Sequence, residues 1–129
     1  MIFLDTCFIV ALANKSDGNH KNAQFLFKQI QTEDLVISNV IIIEVLNLLR
    51  KHKNGKLNKE VYMIMKDNFK IQDENLNLYD NALRIQLKYK GKLGFADCII
   101  LETMKRLNIT KIASFDEHFD GKEGVIRIF

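Results

Sequence analysis

In Ile2-Phe3-Leu4-Asp5-Thr6-Cys7-Phe8-Ile9-Val10-Ala11, a short apolar run meets an acid, and a second apolar run follows. Uniformly apolar Ile2, Phe3 and Leu4 fit a strand buried on both faces, because a half-exposed strand would alternate. Thr6 favours a helix N-cap, and the pattern behind it predicts a helix through Ala13. The same strand-to-helix grammar recurs along the chain. Leu35-Val36-Ile37 is a second apolar strand, after which Ser38 or Asn39 caps a long helix reaching about Lys53, ended by Asn54-Gly55. Ile71 begins a weak strand, residues 111–114 form another, and residues 125–129 a last one.

Between them, helical spacing predicts residues 20–31 (Ala23, Leu26, Phe27, Ile30) and 57–69 (Val61, Ile64, Met65) as helices. It also predicts residues 76–89, with Leu76, Tyr79, Leu83 and Leu87 on one side, and residues 95–107 after Gly91 and Gly94. Strands alternating with helices imply an α/β fold: a three-layer α/β/α domain with a mostly parallel central sheet. At 129 residues the chain is expected to form a single domain. In such a sheet, ligands bind beyond the carboxyl ends of the strands.

Composition narrows the chemistry. A hydrophobic fraction of 47% is enough to build a core without disulfides or structural zinc. Cys7 and Cys98 lie in apolar stretches and read as free thiols, and the scattered histidines and cysteines offer no zinc-ligand spacing. Any metal must therefore be held by oxygen ligands. No apolar run approaches a membrane span, and the start lacks the basic region of a signal peptide, so a cytoplasmic location without membrane attachment is expected. The net charge of +3 is concentrated in Arg50, Lys51, Lys53, Lys56 and Lys59, and again in Arg84, Lys88, Lys90 and Lys92. Such patches suit phosphate backbones, and they equally suit helix ends and solvated connections.

Four acids fall where this fold would gather ligands. Asp5 and Asp116 follow strands, and Glu44 and Asp97 lie early in largely apolar helices. Each has a local reading: Asp5 as a helix cap, Asp116 as a turn, Glu44 on a solvent-facing stripe with Asn47 and Lys51, Asp97 as a helix-dipole partner. Taken together, they can share one rim of the sheet. Four ionised carboxylates there need a counter-charge, which hard divalent cations supply. Phosphodiester hydrolysis is the main chemistry built this way.

Four segments in order then carry a resemblance. Phe3-Leu4-Asp5-Thr6, residues 38–44 with the following Val45-Leu46, Gly94-Phe95-Ala96-Asp97, and Ser114-Phe115-Asp116-Glu117-His118-Phe119 resemble the PIN domain family, and the chain's size resembles its VapC-type toxin ribonucleases. The resemblance implies Asp5, Glu44, Asp97 and Asp116 as catalytic, metal-binding acids for Mg²⁺ or Mn²⁺. It implies Thr6 and Ser114 as supporting hydroxyls. It further implies an endoribonuclease leaving 5′-phosphate and 3′-hydroxyl ends, a homodimer, and inhibition by a small antitoxin protein. Phe95 stands where the family often carries a smaller residue. Asp120 receives no role, and His118 reads as a surface or turn residue. Arg50, Lys53 and Lys56 are the expected RNA contacts. The reading from another class is a non-catalytic RNA-binding or protein-interaction module on the same fold. A haloacid-dehalogenase-like phosphatase is excluded, because that chemistry needs an acid at position 7, where Cys7 stands.

Overall fold

A computed structural model describes residues 1–129. Its strands are short and apolar at the centre of the sheet: β1 (Ile2–Leu4) and β2 (Leu35–Ser38) are buried at every residue. With β3 (Lys70–Gln72), β4 (Lys111–Ala113) and β5 (Ile126–Ile128) they form one sheet in the order β3-β2-β1-β4-β5, parallel throughout. The predicted three-layer α/β/α architecture follows from the connections. α1 (Thr6–Ala13), α2 (His20–Ile30), α3 (Asn39–Leu49) and α4 (Lys56–Asn68) pack with one another, and α5 (Leu76–Lys88) packs with α6 (Phe95–Arg106). The chain steps from β1 outward to β3, then returns across the sheet to β4 on the other side of β1. Right-handed crossovers place the helices of those two journeys on opposite faces.

That reversal puts a topological switch point between β1 and β4, where neighbouring loops diverge and leave a crevice at the carboxyl edge. The register pairs Leu4 with Ala113, so Asp5 and Ser114 emerge side by side there. No helix is long and apolar enough to cross a membrane.

Several elements depart from the sequence expectations. Asp5, not Thr6, is the N-cap of α1: its carboxylate accepts the Thr6 N–H, and Thr6 is the first helical residue. The helix predicted to reach Lys53 ends at Leu49, and the chain passes through Arg50 and Lys51 into a turn at His52–Gly55 where Lys53 and Asn54 adopt left-handed backbone (φ 49° and 55°). α3 is not buried all round, since Ile43 and Leu48 are exposed. In α5 the buried stripe is Leu78, Ala82 and Ile85, while Leu76, Leu83 and Leu87 face solvent. α4 buries Val61 and Met65 but leaves Ile64 exposed. Both cysteines are free, Cys98 buried and Cys7 half-buried.

Candidate metal centre at the carboxyl edge

Asp5 is the most buried of the four acids, at 6% exposed. Its position is fixed on both oxygens. Oδ1 accepts from the Thr6 N–H at 2.8 Å, and Oδ2 accepts from the Ser114 hydroxyl at 2.6 Å and the Cys7 thiol at 3.2 Å. The Ser114 oxygen in turn accepts the Asp116 N–H at 3.0 Å, which ties the loop after β4 to the end of β1. From the other side of Asp5, the Thr6 hydroxyl donates to Glu44 Oε1 at 3.2 Å. A chain of short contacts thus runs Glu44–Thr6–Asp5–Ser114–Asp116, joining residues up to 109 positions apart.

Asp97, in the first turn of α6, approaches the same place. One oxygen each from Asp97 and Asp116 and one nitrogen of His118 lie within 4.8 Å of one another. His118 also donates its backbone N–H to Asp116 Oδ1 at 2.9 Å, and its Nδ1 stands 2.9 Å from that oxygen. Gly94, the N-cap residue of α6, lies beside this carboxylate, and a Cβ there would stand 3.8 Å from Asp97 Oδ2, an ordinary van der Waals distance.

The electrostatics record the crowding. Burial, followed by the charges of Asp5, Asp116 and Glu44, pushes the Asp97 carboxyl up to about 6. Burial likewise raises Asp5 against its hydrogen bonds, and raises Glu44, with Asp5 adding to the shift. Burial and the neighbouring Asp5 push the Cys7 thiol up to about 12, so it stays protonated and donates. No lysine or arginine pairs with any of the four acids. Arg127, which is nearby, is engaged elsewhere. Its guanidinium grips both oxygens of Asp120 at 2.8 and 3.0 Å, holding that acid well below the usual carboxylate range, and donates to the Ser114 carbonyl. Asp120 is a clamp between β5 and the loop, outside the cluster.

The hydroxyls of Thr6 and Ser114 both contact the acids, Thr6 at Glu44 and Ser114 at Asp5. Arg50, Lys53 and Lys56 do not join the acids. All three are exposed, and Arg50 lies past the end of α3, where it donates to its own helix at the Asn47 carbonyl.

Sequence reasoning missed Glu74. Ser38 occupies the N-cap position of α3 yet makes no capping bond, and its buried hydroxyl has no partner. The Val40 N–H is instead satisfied by Glu74 Oε2 at 2.9 Å, and Tyr79 OH donates to Glu74 Oε1 at 2.9 Å. A carboxylate at that helix N-terminus also suits the dipole. The contact spans 34 residues, so no local pattern announces it. Replacing Glu74 by Ala is expected to lower the unfolding free energy by about 1 kcal/mol, the ordinary worth of a cap. A shift in urea midpoint at constant slope measures it.

A parallel sheet with an acid-lined crevice at its switch point is a class of architecture shared well beyond this chain. The family model described as PIN domain matches residues 2–124, and the chain belongs to that family. Among solved structures it is similar to Mycobacterium tuberculosis VapC20, described as a sarcin-ricin loop cleaving toxin, at 22% identity over 97% of this chain and 98% of the other, with a TM-score of 0.86. It is also similar to a toxin–antitoxin complex from Klebsiella pneumoniae (19% identity, 98% and 96% covered, TM-score 0.77). VapBC2 from Rickettsia felis, bound to a DNA fragment from its promoter, is comparable (22% identity, 99% and 98% covered, TM-score 0.72). A search of curated proteins finds no match.

Proposed function

We propose that this protein is a single-domain, divalent-metal-dependent endoribonuclease, the toxin of a toxin–antitoxin pair acting in the cytoplasm. Asp5, Glu44, Asp97 and Asp116 are its metal-binding and catalytic acids. The observation that carries the reading is the convergence of these four on one crevice, with Asp97 raised to about 6 by burial and by the other three. Four hard oxygen donors with no lysine or arginine beside them fit Mg²⁺ or Mn²⁺ and no soft metal. A bound ion of this kind supplies Lewis-acid activation of water and neutralises the scissile phosphate.

The chain's own residues do the rest. Ser114 and the Thr6 amide hold Asp5 so that its carboxylate cannot turn away, and Thr6 does the same for Glu44. Ser114 links the Asp5 carboxylate to the Asp116 backbone, donating to the first and accepting the N–H of the second. Similarity to a protein described as a sarcin-ricin loop cleaving toxin supports RNA as substrate, and similarity to toxin–antitoxin complexes supports a small antitoxin protein as partner. A homodimer is part of the same reading.

RNA cleavage by the purified protein tests it. Cleavage is expected to require Mg²⁺ or Mn²⁺ and to stop in EDTA. Full activity in EDTA removes the metal mechanism, and absence of Mn²⁺ uptake turns the chain into a binding module. Arg50, Lys53 and Lys56 are proposed as phosphate contacts. Neutralising Lys53 and Lys56 together is expected to weaken RNA binding and to flatten the plot of log affinity against log salt by roughly 1.5 units, since each lost phosphate contact removes about 0.7 to 0.9. An unchanged slope returns the patch to solvated surface.

A further inference from the structure

The proposed metal site has carboxylate ligands only, yet one nitrogen stands among them. Resting on that reading, we propose that His118 is a direct nitrogen ligand of the ion held by Asp97 and Asp116, and that it biases the site towards transition-metal cations over Mg²⁺.

Three observations support this. One ligand atom each from Asp97, Asp116 and His118 already lies within 4.8 Å of the other two. Three atoms all within 4.8 Å of one another lie no more than about 2.8 Å from a common point, so shifts of under about 1 Å bring each to the roughly 2.1 Å of a bound donor. The His118 side chain can make that move. It is 70% exposed, and its Nδ1 is restrained only by Asp116 Oδ1 at 2.9 Å. The backbone around it is fixed by contrast. The His118 N–H bonds Asp116, and the next residue, Phe119, is fully buried, so the 3₁₀ turn Glu117–Phe119 presents the imidazole to the crevice.

The chemistry of selection follows from the donor. Carboxylates alone suit Mg²⁺, which dehydrates reluctantly and takes nitrogen poorly. An imidazole adds affinity along the order Mn²⁺, Fe²⁺, Co²⁺ and gives Mg²⁺ little. The other imidazoles are placed for other work: His20 Nδ1 is 2.7 Å from the Ala11 carbonyl, and His52 lies in the turn after α3.

Mn²⁺ and Mg²⁺ binding to the full chain, followed by calorimetry and by electron spin-echo spectroscopy of the Mn²⁺ form, tests the assignment without any cleavage assay. The wild-type protein is expected to show ¹⁴N coupling to Mn²⁺. His118→Gln is expected to lose it, and to weaken Mn²⁺ by roughly tenfold or more, as loss of a metal-site partner does, while changing Mg²⁺ binding less than about twofold. His52→Gln should keep the coupling. If the wild-type protein binds Mn²⁺ without ¹⁴N coupling, His118 is not a ligand, and the acid site stands without it. Equal weakening of both metals also overturns the selectivity, because it marks His118 as a partner that merely orients Asp116. If no Mn²⁺ binds at all, the nuclease reading and this inference fall together.

Discussion

Replacing Asp5 by Asn is expected to reduce Mn²⁺-supported RNA cleavage by at least ~10³-fold, because a metal's charge stabilisation is worth several kcal/mol and each 1.36 kcal/mol is tenfold. The fold should survive the change. Asn can present its oxygen to the Thr6 N–H and its amide to Ser114, whose oxygen can accept where its hydroxyl formerly donated. The negative charge is lost at the centre of the contact chain from Glu44 to Asp116. Circular dichroism and the urea midpoint would report the intact fold, and a labelled RNA would report the activity. A variant that keeps its fold and cleaves within tenfold of wild type removes Asp5 from the catalytic set. Asp5→Ala is the less informative change, since it also removes the cap of α1.

Asp97→Asn has the opposite signature in stability, which makes it the sharper test of the metal centre. The folded carboxyl is pushed up to about 6 from an ordinary 3.8. Below about pH 4 both folded and unfolded chains carry the proton, and this group costs nothing. As pH rises from 4 to 6 the unfolded chain releases its proton first, so the metal-free fold loses stability, and the loss is complete above about pH 6. Because Asp97 is only partly buried, solvent screening reduces the cost to about 1–2 kcal/mol, against roughly 3 for the full shift. The metal-free variant is therefore expected to melt several degrees higher than wild type at pH 7, with the difference vanishing near pH 4. With Mn²⁺ present the order reverses. At a hundred times its dissociation constant, the ion stabilises the wild-type fold by about 2.7 kcal/mol, and the variant loses most of that. Thermal melts with and without Mn²⁺ at two pH values measure both effects. A marked loss of metal-free stability would identify Asp97 as a helix-dipole partner of α6 and nothing more.

The two readings of Asp5 weighed from the sequence, cap or ligand, are not alternatives. One oxygen caps α1 and the other faces Ser114 and the crevice. Asp116 is similar: its Oδ1 accepts the His118 N–H as a turn cap while the residue stands beside Asp97. A carboxylate has two oxygens, so a local role and a shared one can coexist on the same residue.

The sequence by itself marked the succession of elements and the four candidate acids. The short apolar runs Ile2-Phe3-Leu4 and Leu35-Val36-Ile37 fit strands buried on both faces, and helical spacing between the strands points to a parallel, doubly wound sheet. Strand ends in such a sheet mark where ligands gather, which singles out Asp5 and Asp116 from the sequence alone. Tertiary structure alone decided which apolar stripe of a helix is the inner one. α5 carries Leu76, Leu83 and Leu87 on one side and Leu78, Ala82 and Ile85 on another, and periodicity cannot choose between two apolar faces. It alone decided that Glu74, rather than Ser38, satisfies the start of α3, and that His118 stands among the acids. Those contacts depend on strand order and loop path. Sequence spacing records neighbours along the chain, whereas a cap supplied from 34 residues away exists only once the sheet has closed.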